Sequence, residues 1–551
     1  MDIKDKLADA IAAAAKRAID DGALPASEIP KVELSVPPQK EMGDFATNFA
    51  MQGAKAFRKS PRQIAQEIVN RIVMGEIERA DIAGPGFINF YMKKNVLYDA
   101  LAAAMAAGED YGNLPPRDEP RIMVEYVSAN PTGLLHVGHG RGAAVGSALV
   151  NLLRAAGYSV ASEYYINDAG NQIDHLAESV NARYLELLGE KVEFPEDGYR
   201  GDDIIDTARH IIERDGDKYL AMEEPERIKA LKEIALAEKL EKLKSDLAAF
   251  NVTFDKWFSE RTLHPDKVRA AVNELREKGI IYEKDGALWL RSTDYGDDKD
   301  RVVIRDNGEP TYLAADIAYH RDKFERGFGT LINIWGADHH GYVCRVKAAL
   351  TGLGYNADNL TILFLQMVSL FRSGETVKMS KRAGTAVPIE ELIADVGVDA
   401  ARYFFVMRSM DSQLDFDIDL AKKESSENPV YYIQYAHARI ASIRRQAAEN
   451  GIAERNDAEL SLLTDESEIE LIKKIEEYPE EIERAAKDYA PQRVARFAHD
   501  IAGLFHSFYT KRRIIGVAKE EAEARLALVV KAQQVIRHAL AILGVSAPEK
   551  M

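Results

Sequence analysis

The sequence predicts an α/β fold: a doubly wound parallel sheet, preceded by a smaller α+β unit and followed by an all-α region. Three observations carry this. Apolar strand-like runs alternate with helical patterns between about residues 121 and 371. The first 110 residues mix short strand runs with helices, and few strand signals follow Ala421. The chain has 551 residues, too many for a single hydrophobic core.

Taken in order, Leu7, Ile11, Ala15 and Ile19 recur at helical spacing, with Gly22 placed to end the helix. A second helix is expected over 60–73, and strands at KVELSV and GFINFYM. GNLPPRDEP (112–120) reads as a linker. RIMVEYVSAN is a buried strand ending in the turn Asn130–Gly133, and a helix with Val145, Leu149, Leu152 and Leu153 on one face runs to Gly157. SVASEYYIND completes a strand–helix–strand unit. TLINIWGADHHG leads into the helix VCRVKAALTGLG, and LTILFLQMVSLF is a third strand before a polar loop. Charged helices over about 175–300 read as an insertion between the halves of the sheet. The expected domains are 1–110, 111–375 with that insertion, a connecting segment 376–420, and helices over 421–551.

Composition narrows the function classes. The formal net charge is −17, which opposes indiscriminate nucleic-acid binding. From Ala421 onward 20 basic residues face 21 acidic ones, so this part repels a polyanion least. Cys344 is the single cysteine, which excludes disulfide and cysteine–zinc frameworks and fits a cytoplasmic protein. The N-terminal helix is charged throughout, unlike a signal peptide, and no run of eighteen apolar residues predicts a membrane span.

The chemistry is expected in SANPTGLLHVGHGRG (128–142). His136 and His139 stand at i, i+3 across a glycine, with no third ligand near in sequence, so a zinc site fits poorly. Two readings remain: ordinary histidines at a helix start, or a phosphate cradle. In the second, the helix N-terminus attracts anions, Gly138, Gly140 and Gly142 admit a nucleotide, and the imidazoles donate to phosphate oxygens. VKMSKRAGTAV (377–387) puts Lys378, Met379, Ser380 and Lys381 in a loop after a predicted strand. Such a loop is either a solvated surface or a clamp for a pyrophosphate leaving group. Tyr312 and Asp316 lie at i, i+4 on one face of the helix after Pro310, either as a plain surface pair or as two groups of a polar pocket.

HVGH and KMSKR together resemble the HIGH and KMSKS motifs of class I aminoacyl-tRNA synthetases. VEYVSANPTGLLHVGHGRG, YLAADIAYH, GADHHGY and ENPVYYIQYAHAR resemble the arginyl-tRNA synthetases. GDFATN, GPGFINF and LGVSAPEKM extend the likeness over essentially the whole chain. The resemblance implies a Rossmann-like catalytic domain, an N-terminal domain at the tRNA elbow and a C-terminal anticodon-binding domain. It implies ATP-dependent formation of arginyl-adenylate, then transfer of arginine to its tRNA by a monomer. ATP with Mg²⁺ on its phosphates is expected, without a structural metal. His136, His139, Lys378 and Lys381 would be catalytic. ATP would contact His136, Gly138, His139, Gly140, Asp338 and the loop residues Lys378, Met379, Ser380 and Lys381. L-Arginine would lie among Glu125, Ser128, Ala129, Asn130, His139, Tyr312, Asp316 and His339. Arg382 stands where the family's shorthand motif has serine, but both lysines are present.

Among the C-terminal helices, Tyr431, Tyr432, Tyr435, His437 and Arg439 interleave rings with cationic groups, as do Tyr509, Lys511, Arg512 and Arg513. Unpaired bases stack on such rings, so Tyr435, Arg439, Arg512 and Arg513 are expected at the tRNA. Three rivals stand against this reading. A small-substrate nucleotidyltransferase explains HVGH but not the helical C-terminal region. A synthetase-like RNA-binding protein that has lost catalysis is opposed by the intact histidines and lysines. The cysteine-specific class I enzyme is opposed by the single cysteine.

Overall fold

The computed structural model describes residues 3–37, 39–377 and 387–551. The chain forms two compact units, one of residues 1–108, 447–476 and 508–531, the other of 109–446, 477–507 and 532–551.

In the first unit an antiparallel sheet places Phe87–Met92 between Phe45–Thr47 and Ile77–Ala83. The helix Ile3–Asp20 buries Leu7, Ile11 and Ala15 on the predicted face, against a core that includes Phe49, Phe57, Ile64 and Phe90. The second expected helix spans Pro61–Val69 and starts with a capping box between Ser60 and Gln63. KVELSV is not a strand. Only Ser35 pairs, in an isolated bridge to Ala46, because Pro30 and Pro37 bound the segment and limit its ladder.

The second unit is built on a five-stranded parallel sheet: β1 (Ile122–Glu125), β2 (Val160–Ile166), β3 (Lys256–Ser259), β4 (Thr330–Gly336) and β5 (Leu360–Leu365). Its order is β5-β4-β1-β2-β3. The strand order reverses between β1 and β4, and doubly wound sheets bind ligands at the carboxyl edge of such a reversal. Helix α1 (Val137–Ala155) follows β1 directly.

The predicted insertion is partly helical. Helices α2 (Asn171–Leu187), α3 (Asp202–Asp215) and α4 (Glu224–Ala249) share a core of Leu176, Val180, Ile204, Ile211 and Leu231. The chain then returns to the sheet as β3, a four-residue strand too short to show periodicity. A separate antiparallel sheet of Ile281–Lys284, Ala287–Leu290 and Arg301–Ile304 follows. Helix α5 (Tyr312–Glu325) then leads to β4, and α6 (Val343–Leu353) connects β4 towards β5. LTILFLQMVSLF is two strands, not one. After β5 the chain turns at Gln366, and Val368–Arg372 joins another sheet between Glu375–Val377 and Leu414–Asp417. Arg141, fully buried on α1, holds that corner by donating to the carbonyls of Gln366, Ser409 and Ser412 at 2.8–3.0 Å. As expected, the remainder is helical, from Pro429–Glu449 to Lys519–Leu543. The last of these is long and apolar enough to cross a membrane, but 72% of its apolar window is buried within the protein.

The packing of α1 against β1 makes a measurable demand. A Cβ on Gly146 would lie 2.3 Å from the ring of Tyr126, itself 1% exposed. In an exposed helix, glycine to alanine gains about 1 kcal/mol. Here Gly146→Ala is expected to lose about 2–3 kcal/mol through overpacking, measured by denaturant unfolding.

Candidate active site

Glu125 ends β1, and the chain then departs from strand geometry at once. Val127 and Ser128 have φ of +67° and +43°, two successive non-glycine residues in the left-handed region. A β-branched residue there is strained, and such strain gathers at functional sites. It turns Ser128 back on the strand. The Ser128 Oγ donates to Glu125 Oε1 at 3.1 Å and accepts from the Tyr165 backbone at 3.2 Å. The buried Ala129 gives its carbonyl to the Tyr164 hydroxyl at 2.8 Å, and Asn130 Nδ2 donates to Gln172 at 2.6 Å.

The HVGH turn starts α1 with a reciprocal cap made by its own histidines. His136 Nδ1 accepts from the backbones of Gly138 and His139, while His139 Nδ1 accepts from the His136 backbone. The rings stack at 3.6 Å and 20°. Each Nδ1 is thereby an acceptor, so the proton of each neutral ring sits on Nε2. Glycine does two different jobs in this turn. Gly138 is half-buried against the His136 ring. At Gly140 the missing Cβ makes room for Ile389, 2.4 Å from where that atom would sit, and the N–H is taken by the His136 carbonyl. Lys378, Met379, Ser380 and Lys381 lie outside the described residues. The chain that resumes at Val387 pairs with the turn: Val137 donates to the Val387 carbonyl at 3.1 Å and Ile389 to that of Leu135 at 2.8 Å.

The second half of the site is a row of polar residues crossing the sheet beneath α5. In register, Asn333 on β4 lies beside Glu125 on β1, which lies beside Glu163 on β2. All three are buried. Helix α5 turns Asp316, Tyr319, His320 and Lys323 towards them at i, i+3, i+4 and i+7. Lys323, 0% exposed, donates to Glu125 Oε2 at 2.6 Å and to Asn333 Oδ1 at 3.1 Å. The Asn333 amide meets His320 Nε2 at 2.8 Å, and His320 Nδ1 meets the Asp316 carbonyl at 2.8 Å. Burial pushes His320 down to about 3, so the ring is neutral and donates from Nδ1. Arg326 grips Glu163 with two hydrogen bonds of 2.6 and 2.8 Å, and the Tyr319 hydroxyl adds a third at 2.7 Å.

Asp316 is half-buried, and its Oδ2 accepts from the Tyr342 hydroxyl at 2.6 Å. Burial, reinforced by the charges of Glu125 and Glu260, pushes its carboxyl up to about 7, against the Tyr342 hydrogen bond and Lys323. Glu260, buried at the end of β3, is pushed up for the same first reason. The result is an acidic crevice suited to a compact cation with several donors.

Asp316 lies close enough to Glu125 for the charge of Glu125 to raise its carboxyl. Tyr312 stands one turn earlier on α5 but is 54% exposed and does not line an enclosed pocket. GADHHGY contributes to Asp316 through Tyr342. His339 is exposed, with Asp338 at 3.8 Å and the Trp335 ring at 6.3 Å, while His340 stacks on Phe364. Lys323, His320, Asn333, Glu260, Tyr165 and Tyr342 were not singled out from sequence. Among the described residues no group of three His, Cys, Asp or Glu is placed to hold a metal.

Of the C-terminal candidates, Tyr435 stacks with Tyr431 at 6.4 Å and with His506 at 5.8 Å, and Arg439 lies 5.4 Å over its ring. His437 is not at the surface: it is 2% exposed and bonded to the Pro548 carbonyl. Arg512 and Arg513 belong to the other unit, where Arg512 pairs with Asp465 and the Arg513 carbonyl accepts from Arg525.

Three family models match the chain: "Arginyl tRNA synthetase N terminal domain" over 1–92, "tRNA synthetases class I (R), catalytic domain" over 100–422, and "DALR anticodon binding domain" over 433–551. An arginine–tRNA ligase of Carboxydothermus hydrogenoformans is 53% identical, covering 97% of each chain. That of Bacillus subtilis is 51% identical over 100% of this chain and 99% of its own. The arginyl-tRNA synthetase of Thermus thermophilus, 23% identical, shares the fold over 100% of both chains with a TM-score of 0.76.

The raised Asp316 carboxyl makes a prediction about stability. The unfolded group ionises near 3.8 and the folded one near 7, so the folded protein is progressively disfavoured as pH rises between those values, by no more than about 4 kcal/mol in total. Asp316→Asn removes this term. Its melting temperature is expected to exceed that of the unaltered chain by more at pH 8 than at pH 5, as calorimetry at the two pH values would show.

Proposed function

The chain belongs to the bacterial arginyl-tRNA synthetases, and from that premise we propose how its residues divide the work of attaching arginine to its tRNA. The enzyme uses ATP, and arginine and tRNA are its other substrates. The observation that carries the division of roles is the convergence of two carboxylates, Glu125 and Asp316, at the strand edge from which the HVGH turn departs.

Asp316, aimed by Tyr342, pairs with the guanidinium. A carboxylate and a guanidinium match in geometry as well as in charge. Glu125 adds negative charge behind it, and Tyr312 covers the mouth. Ser128, Ala129 and Asn130 meet the α-amino and carboxylate ends of arginine, with His339 at the rim. The arginine carboxylate attacks the α-phosphate of ATP, forming arginyl-adenylate and releasing pyrophosphate. His136 and His139 each donate an Nε2–H to phosphate oxygens as negative charge builds. Gly138 and Asp338 border the nucleotide, and Lys378, Met379, Ser380 and Lys381 close on the departing pyrophosphate. Mg²⁺ travels on the ATP phosphates, where it neutralises their charge without a cage of protein ligands. The terminal ribose hydroxyl of tRNA then takes the arginyl group and AMP leaves. A wrong side chain leaves the Asp316 carboxylate without its cation, so discrimination of about 10⁴–10⁵ needs no editing site.

The Tyr435–His506 ring pair with Arg439 offers unpaired bases a stacking face, and in the other unit Arg512 and Arg513 are separate candidates for tRNA contacts. The ends of the matched spans, 1–92, 100–422 and 433–551, are compatible with boundaries near residues 110 and 420. Action as a monomer in the cytoplasm, away from membranes, is carried over from the family resemblance.

Pyrophosphate exchange separates the two halves of the site. Asp316→Asn is expected to raise the KM for arginine by 10² or more while leaving that for ATP unchanged. His139→Ala is expected to lower kcat by about 10²–10³. Equal effects of both variants on both constants would refute the division.

A further inference from the structure

Lys323, Asn333 and His320 take no part in the proposed chemistry, yet they link Glu125 to the backbone of Asp316. The ammonium is fully buried and donates to Glu125 from one side and to Asn333 from the other. A continuous run of donors and acceptors goes on from Asn333 through neutral His320 to the carbonyl of Asp316. Its members come from β1, β4 and α5. None of their side chains except that of Glu125 is placed to touch a substrate.

We propose that Lys323 is a positioning residue of the arginine pocket: its ammonium offsets Glu125 and thereby keeps Asp316 ionised for the guanidinium, while Asn333 and His320 lock Lys323 and the Asp316 turn in place. The inference rests on the assignment of Glu125 and Asp316 to arginine. Among the described residues, the groups acting most strongly on Asp316 come from four elements. Glu125 comes from β1, Glu260 from the end of β3, Lys323 from its own helix and Tyr342 from the turn after β4. Tyr165 on β2 faces Glu260, Asp316 and Glu125 in turn, and burial drives its hydroxyl far above the usual range. Tyr319 faces Glu125 and Glu163 and is raised likewise, and Glu163 is neutralised by Arg326 rather than by Lys323. Lys323 is therefore the ammonium in this group that opposes the carboxylates around Asp316. Without it, burial together with Glu125 and Glu260 would push Asp316 further towards its protonated form, and a protonated acid is a poor partner for a cation.

Because two charges of opposite sign are involved, the test has opposite expected signs. The dissociation constant of L-arginine is measured by calorimetry on the full chain between pH 5.5 and 8.5. Binding should tighten with a midpoint near 7 in the unaltered chain. Lys323→Met should move the midpoint up by about one unit or more, so that a loss of roughly tenfold at pH 7 shrinks towards pH 8.5. Glu125→Gln, which leaves Lys323 without its counter-charge, should move the midpoint down whatever it does to affinity. The double variant should return it towards 7, and it serves as the arm of the test if Lys323→Met alone does not fold. Losses of equal size at every pH, or midpoints moving in the same direction in both single variants, would overturn the proposal and reduce Lys323 to a structural ion pair. If instead Asp316→Asn binds arginine with unchanged affinity, the underlying pocket assignment fails, and the two failures are thus distinguishable.

Discussion

The structure depends on one constraint: charged side chains must be buried between α5 and the strands beneath it. Glu125 and Glu163 lie side by side on β1 and β2, facing a helix that brings Asp316 to the same region. Isolated buried carboxylates would cost several kcal/mol each, so cations come with them. Lys323 takes Glu125 and Arg326 takes Glu163. Asp316 receives a hydroxyl from Tyr342 and, among the described residues, no ion pair of its own. Among those residues it is an incompletely compensated acid at the edge of the sheet, which is what the proposed guanidinium contact would complete.

That incompleteness connects energetics to specificity. A pocket that holds a carboxylate at a cost in stability rewards the ligand that relieves the cost, and leaves an uncharged ligand to bear it. The backbone contributes in the same sense. Left-handed Val127 and Ser128 hold the serine hydroxyl against Glu125, so the acid is oriented before arginine arrives. On the nucleotide side, the two histidines cap their own helix, which fixes the nitrogen that carries each proton. The segment that resumes after the lysine loop is pinned to the same turn by Val137 and Ile389. Val387 and Ile389 are thereby held beside the histidine turn.

Much of this was legible in the sequence. Glycine and proline mark the β1 turn and the histidines, whereas Asp316 shares a helix face with Tyr312 but stands out from a plain surface pair only through the resemblance of YLAADIAYH to the family. The rest was hidden for physical reasons. Asp316, Tyr319, His320 and Lys323 repeat at the spacing of a buried face but are polar, so periodicity reads them as solvated. Their partner Asn333 sits in the middle of an apolar strand, where one polar residue carries no signal until the register is known. The strand β3 is too short to show a period, and LTILFLQMVSLF reads as one strand because an apolar run does not mark where a chain leaves one sheet for another. Gly140 was read for its backbone freedom, whereas its role is to admit Ile389, a residue about 250 positions away that local pattern cannot connect to it.

The central claim is that an ionised Asp316 is what recognises the guanidinium. Comparing arginine with citrulline, its uncharged isostere, tests it most directly, because pH effects common to both substrates cancel in the ratio of their kcat/KM values. With Asp316 titrating near 7, the preference for arginine should fall about tenfold between pH 8 and pH 6 as the carboxylate gains its proton. A preference that stays constant across that range would contradict the account.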